Sequence, residues 1–306
     1  MKHSRRALAL LASAAFSLSL AAAPALGAVG KSGMPAWACG PGDAGSAARG
    51  LADRTGVLRE KDLGQIAKDL PDRARGKAPA GFSATVPVYF HVITDGATGN
   101  VTSRQIAAQI DVLNVTFGGG EGGANSGFSF SLAGVTRTDN AAWFALQGKG
   151  AEADMKQTLR QGGNDALNVY SNSGAGYLGY AYYPDILTTS QAWLDGIVLN
   201  WESIPGTSTT FAGRYDLGET LTHEAGHWFN LAHTFDGGCN RGDLVDDTPP
   251  QKTPTGGCPE GKDTCRAPGL DPIHNYMDYS YDSCYTEFTP GQVQRMRDAW
   301  LFYRAA

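Results

Sequence analysis

Apolar positions change period several times along the chain, and each change predicts an element. "ATVPVYFHVI" (84–93) is a β-branched and aromatic run with Pro87 near its start, which predicts a strand. In "SRQIAAQIDVLNVTF" (103–117), Ile106, Ile110, Leu113 and Phe117 recur every three or four residues, which predicts a helix with Ser103 as its N-cap. "GFSFSLAGVTRT" reads as a second strand, "AEADMKQTLRQG" as a second helix, and "ALNVYS", "YLGYAYY" and "DGIVLNW" as three further strands. This alternation predicts an α/β sandwich. "RYDLGETLTHEAGHWFNLAH" follows as a helix entered around Leu217 to Glu219. After residue 234 the periodicity stops, and "FDGGCNRGDLVDDTPPQKTPTGGCPEGKDTC" is dense in Gly, Pro, Asp and Cys. A loop this long needs a covalent staple or an ion to hold it. The chain ends in a helix from Thr289 to Ala306, with Thr289 as cap and Pro290 at the first helical position.

Before residue 84 the texture differs. Lys2, Arg5 and Arg6 precede an apolar, Ala/Ser-diluted run from Ala7 to Ala23, and a small-residue cleavage site follows at Gly27 or Ala28. This is the layout of an export signal over residues 1–28. A membrane anchor would need about 20 strongly apolar residues. Residues 29–78 are polar and read as a pro-segment, with a weak helical pattern between Arg54 and Leu70. "PDRARGKAPAG" (71–81) reads as exposed, flexible and easily cut, with Arg73, Arg75 or Lys77 as cleavage points. A plain interdomain linker is the competing reading of that stretch. Residues 79–306 then form the mature domain.

Composition narrows the function. A net charge of −5 and a pI near 5.7 argue against a nucleic-acid partner, which needs a basic face. No segment after the signal is apolar enough to span a bilayer, so the mature protein is expected to be secreted, without a membrane, and monomeric. Export permits disulfides. Four of the five cysteines, Cys239, Cys258, Cys265 and Cys284, cluster and allow three connectivities, while Cys39 stands far upstream. "GAGYLG" (174–179) matches a dinucleotide-binding pattern, but strand-like aromatic residues follow it where a helix is required, so the match is discarded.

The strongest chemistry lies in "HEAGHWFNLAH" (223–233), which holds three of the six histidines. On a helix His223 and His227 share one face, and Glu224 projects beside them. Two imidazoles to hold zinc and a carboxylate to take a proton from its bound water is metal-ligand spacing. On a straight helix His233 would lie about 15 Å along the axis from His223, too far to share an ion. The chain must therefore turn back near residue 230, and Asn230 is the best non-glycine residue for a left-handed helix end. Three protein ligands leave one tetrahedral position open for water, the mark of a catalytic zinc.

This segment resembles the extended zinc motif of the metzincin endopeptidases, H-E-x-x-H-x-x-G-x-x-H, with Asn230 in place of the usual glycine. "NYMDYS" resembles the metzincin Met-turn. Together with "GDLVDDTP" and "FTPGQVQRM" these motifs resemble the pappalysin family, in particular its compact bacterial, ulilysin-like members, over roughly residues 85–306. The resemblance implies a metzincin-like catalytic domain with a twisted, mixed five-stranded sheet and an irregular, disulfide-bonded C-terminal subdomain. It implies zinc on His223, His227 and His233, Glu224 as general base, Met277 as an apolar floor, and Tyr279 as a hydrogen-bond donor to the tetrahedral intermediate. It further implies calcium near Asp243, Asp246, Asp247 and Thr248, whose clustered oxygens suit that ion. The implied disulfides are Cys239–Cys265 and Cys258–Cys284, and Cys39 resembles the cysteine switch of metzincin zymogens. By the same analogy "YLGYAYY" forms the rim that pairs with a peptide substrate, and Asp282 shapes a pocket for a basic side chain. His91 and His274 read as packed or hydrogen-bonded histidines. The reading is a secreted zinc endopeptidase made as a zymogen and acting on proteins or peptides. A metal-binding module without activity would not need Glu224, and a zinc amidase or esterase would lack the Met-turn.

Overall fold

The computed structural model describes residues 67–148 and 150–305. The stretches expected to be an export signal and, up to residue 66, a pro-segment, together with Cys39, lie outside the described residues. A five-stranded sheet is built from β1 (Ala84–Thr94), β2 (Phe128–Asp139), β3 (Leu167–Asn172), β4 (Gly179–Ala181) and β5 (Ile197–Asn200), in the order β2-β1-β3-β5-β4. β1 pairs in parallel with both β2 and β3, β3 pairs in parallel with β5, and only β4 runs antiparallel, at one end of the sheet. Parallel neighbours need crossover connections. Helix α1 (Ser103–Phe117) supplies the one from β1 to β2, and α2 (Ala151–Leu159) lies between β2 and β3.

The strand periodicities follow from position in the sheet. β3 and β5 are buried along their whole length, and β5 reads as an apolar run while β3 also buries Asn168, Ser171 and Asn172, whereas β2 at the far edge alternates buried and exposed residues over its first four positions. The edge strand β4 is shorter than its aromatic run suggests, and Pro184 follows soon after it. The cap of α1 is Thr102 rather than Ser103. Its hydroxyl accepts from Gln105 N while Gln105 Oε1 accepts from Thr102 N, a reciprocal box that a serine one residue later cannot make. The closing helix is regular over α4 (Pro290–Ala299) and widens into a π-turn over Trp300–Arg304.

Helix α3 (Glu219–Trp228) is buried at every position and packs against α1, β4 and β5. It is preceded by Gly218 at φ 108°. Phe229, the residue after its last turn, stacks on Phe128 at 4.2 Å and also meets Phe117, Phe130 and Trp300. This aromatic cluster ties the end of the helix to the core. The C-terminal region is irregular and carries two disulfides, Cys239–Cys265 and Cys258–Cys284.

The stretch 71–81 is better anchored than its polar composition suggests. The Asp298 carboxylate of α4 accepts from the backbone N–H groups of Gly76, Lys77 and Ala78, at 2.6, 2.9 and 2.9 Å. Leu70 and Ala74 pack against Ala299. Just upstream, the Lys68 carbonyl accepts from Arg295 Nη2 at 2.9 Å and from Asn230 Nδ2 at 3.1 Å. Docking here uses main-chain groups, which a hydrophobicity pattern does not register. The side chains of Arg73, Arg75 and Lys77 remain exposed.

Candidate metal centre

α3 carries His223 and His227 one turn apart, and the chain then reverses. Asn230 takes φ 77°, the left-handed conformation, and Leu231 N donates back to Gly226 O at 2.9 Å. This turn brings His233 to the same point as the two helical imidazoles. His227 Nε2 lies 3.1 Å from His223 Nε2 and 3.1 Å from His233 Nε2.

The tautomers follow from the other ring nitrogens. His223 Nδ1 meets the Tyr276 carbonyl at 2.6 Å and His227 Nδ1 meets the Leu231 carbonyl at 2.7 Å. A carbonyl can only accept, so each Nδ1 carries the proton and each Nε2 presents a lone pair. His233 Nδ1 lies 3.2 Å from both carboxylate oxygens of Asp236, which places its proton the same way. Burial, reinforced by His233, pushes the His223 imidazole down to about 3, and burial with both neighbours holds His227 well below its ordinary value. Converging lone pairs on neutral imidazoles repel one another unless a cation sits between them. Tetrahedral zinc with Zn–N bonds of about 2.0–2.1 Å needs nitrogens about 3.3 Å apart, so the donor set fits that ion.

The remaining residues frame this point. Glu224 is buried and lies against the start of β4, where a Cβ added to Gly179 would come within 2.9 Å of Glu224 Cγ. Tyr279 Oη is 3.1 Å from His233 Nε2. Met277 is fully buried beneath α3, so close that a Cβ at Gly226 would sit 2.3 Å from its Sδ. Asp236, Tyr183, Gly179 and Gly226 were not singled out by their sequence pattern. Asp236 lies three residues after His233, a spacing that could have suggested it, and Tyr183 Oη lies 3.3 Å from His227 Nδ1 with no local signal.

The acidic residues divide. Asp243 and Thr248 are buried, and Asp243 Oδ2 and Thr248 Oγ1 face each other without a well-formed hydrogen bond. Burial pushes the Asp243 carboxyl up to about 7. Leu244 between them holds φ 68°, a strained value for a branched side chain. Asp246 is exposed. The Asp247 carboxylate is engaged elsewhere, accepting from Thr289 Oγ1 at 2.7 Å and Gly291 N at 2.8 Å at the start of α4. Asp282 accepts from Leu217 N and Gly218 N just before α3, and its carboxyl faces that of Glu219. Burial raises both, Glu219 to about 9 and Asp282 to about 6. His91 is buried between Thr136 Oγ1 and Asn168 Oδ1 and stacks on Tyr170, and His274 Nδ1 bonds the Cys284 carbonyl.

Comparison with known proteins places the chain among metalloproteases. Residues 165–300 match the sequence model of the peptidase family described as pregnancy-associated plasma protein-A. An extracellular metalloprotease of Arthroderma benhamiae is 44% identical over 260 residues, covering 82% of this chain and 84% of its own length. An extracellular metalloprotease of Neurospora crassa is 43% identical over 299 residues, covering 95% and 97%. Among solved structures, a Tannerella forsythia promirolysin mutant superposes with a TM-score of 0.65 at 27% identity, covering 85% of this chain and 93% of that one. Mature mirolysin from the same organism, in complex with a cleaved peptide, gives 0.61 at 31% identity over 71% and 91%. The chain therefore belongs to the pregnancy-associated plasma protein-A, or pappalysin, family of zinc metalloendopeptidases.

Proposed function

We propose that His223, His227 and His233 hold the catalytic zinc and that Glu224 is the general base. The observation that carries this reading is the tautomer argument: three Nε2 lone pairs meet at one point because each Nδ1 is committed to an acceptor. When bound there, zinc lowers the pKa of a water toward about 7 and polarises a carbonyl. Glu224 accepts the proton of the attacking water and returns it to the leaving amine. The Tyr279 hydroxyl, beside the triad, donates to the oxyanion that develops as the carbonyl carbon becomes tetrahedral. Met277 supports the triad from below and Asn230 forms the turn. β4, the open end of the sheet beside Glu224, accepts the peptide backbone as an added strand. Asp282, expected from the sequence to shape a pocket for a basic side chain, is buried and committed to Leu217 N and Gly218 N, so it is not proposed as a substrate contact.

The same reading makes residues 1–28 an export signal and 29–78 a pro-segment, so that a secreted zymogen matures to a monomeric enzyme over 79–306. Cys39 serves as the switch ligand in the zymogen. A calcium ion is proposed at Asp243 and Thr248, completed by neighbouring oxygens, because these buried oxygens lack good partners. Asp246 can reach it only from the exposed side of the loop, and Asp247 is already spent on capping α4.

The test is purification of residues 79–306 and of its Glu224→Ala variant, with zinc content and peptide cleavage measured in parallel. One equivalent of zinc in both, with cleavage only in the parent, is expected. Equal cleavage by both would remove Glu224 from the mechanism. For the switch, Cys39→Ala in the full chain is expected to shorten latency, and unchanged latency would eliminate the thiol as inhibitor.

A further inference from the structure

Lys156, on α2, is fully buried. Its Nζ donates to the Leu194 carbonyl at 2.7 Å and pairs with Glu152 Oε1 at 3.1 Å. Three tyrosine rings surround the ammonium: Tyr182 at 4.4 Å, Tyr170 at 5.5 Å and Tyr180 at 5.8 Å from their centroids. A buried charge is costly, and an apolar side chain of the same length would fill the space without desolvating an ammonium. The placement of the partners suggests what this charge does. Tyr170 belongs to the central strand β3, whereas Tyr180 lies in the edge strand β4 and Tyr182 just beyond it. Residues two apart in a strand project to the same face, so one ammonium holds two rings of the rim from behind.

β4 packs on α3, and Ala181 and Tyr180 pack on the core, but its hydrogen-bonded pairing is one-sided. It is three residues long, ends the sheet, and pairs on one side only, with Gly179, Tyr180 and Ala181 opposite Leu199, Val198 and Ile197. Its first residue abuts Glu224. A rotation of β4 about its own axis would turn its outer N–H and C=O groups away from the cleft while leaving the zinc triad intact. We propose that Lys156 is a positioning residue for substrate binding: its cation–π contacts with Tyr180 and Tyr182 fix the roll of β4 and keep its outer edge ready to pair with a peptide. The proposal rests on the reading that β4 receives the substrate.

Lys156→Met in the mature enzyme removes the charge and keeps the length. KM for a peptide of eight or more residues is expected to rise about tenfold, equivalent to about 1.4 kcal/mol, with kcat within about twofold and zinc content unchanged. Lys156→Arg, which restores a cation, should recover most of the loss. A second substrate series, N-methylated at single backbone amides, separates the two claims. If no N-methylation raises KM in the parent enzyme, β4 does not receive the backbone. If N-methylation matters in the parent but Lys156→Met leaves KM unchanged, or lowers kcat together with zinc content, Lys156 is a structural residue only. Should Lys156→Met fail to fold, Tyr182→Leu removes the nearest ring and must raise KM in the same way, and an unchanged KM there overturns the proposal.

Discussion

Replacing Gly226 by alanine sets two effects of opposite sign against each other within α3. In an unencumbered helix interior the change stabilises by about 1 kcal/mol, because glycine loses more backbone entropy. Here the new methyl would lie 2.3 Å from Met277 Sδ and 3.2 Å from its Cε, where a relaxed contact needs about 3.5–4.0 Å. Met277 is fully buried, so any retreat presses it on packed neighbours rather than into solvent. Overpacking of such a site costs about 1–3 kcal/mol, so the net loss of stability in the metal-free protein should be small, about 0–2 kcal/mol. The zinc-loaded protein should lose more. Relief of the clash must move either the floor or the helix by about 1 Å, five times the roughly 0.2 Å that ligand distances tolerate. Displaced support around metal ligands typically costs about 10–100-fold in affinity. The assay is urea unfolding with and without zinc, together with chelator competition to obtain the zinc Kd. A Gly226→Ala variant with parental zinc affinity, and a loaded form as stable as the parent or more so, would show that Met277 yields freely and is no rigid floor.

At Asn230, φ 77° costs alanine about 1–2 kcal/mol but costs glycine nothing. In residues 79–306, which lack the Lys68 acceptor of the Asn230 side chain, Asn230→Ala should therefore weaken both stability and zinc affinity while Asn230→Gly preserves them, as read by unfolding of the loaded protein. The raised Asp243 carboxyl means the folded protein holds that proton more tightly than the unfolded chain, so without a cation its contribution to stability falls as pH rises from about 4 to about 7. Calcium must displace the same proton, so the rise in Tm on adding calcium should grow between pH 5 and pH 8 and vanish in Asp243→Asn. Arg304 is buried, pairs with buried Asp195 at 2.9 Å and donates to the Trp228 carbonyl at the end of α3. Arg304→Met should cost about 3 kcal/mol in denaturant unfolding, because it strands Asp195 with only the more distant Arg160 at 3.7 Å.

How much of this was legible beforehand depended on the range of the interaction. Each of the five strands was recognisable from β-branched and aromatic runs, although β4 and β5 are shorter than their runs because Pro184 and the 3-10 turn at Trp201–Ser203 cut them off. The convergence of His223, His227 and His233 could be argued from spacing and one unusual asparagine. The shell around them could not. The Tyr276 and Leu231 carbonyls that fix the tautomers are main-chain atoms, and main-chain atoms carry no sequence signature. Nor could composition reveal that Asp247, one of four clustered oxygen donors, is taken by α4 more than forty residues later.

The sequence by itself determined the class of the main strands and helices and a candidate ligand set, because helix and strand periods and the i, i+4 reach of side chains are local properties of the backbone. Only the tertiary structure decided that Met277 lies under Gly226, that β4 runs beside Glu224, that residues 67–78 dock on α4, and that Lys156 sits among three tyrosines. Those neighbours are separated by tens to hundreds of residues. Their contacts arise from which buried faces pack together, and a hydrophobic pattern says that a face is buried without saying against what.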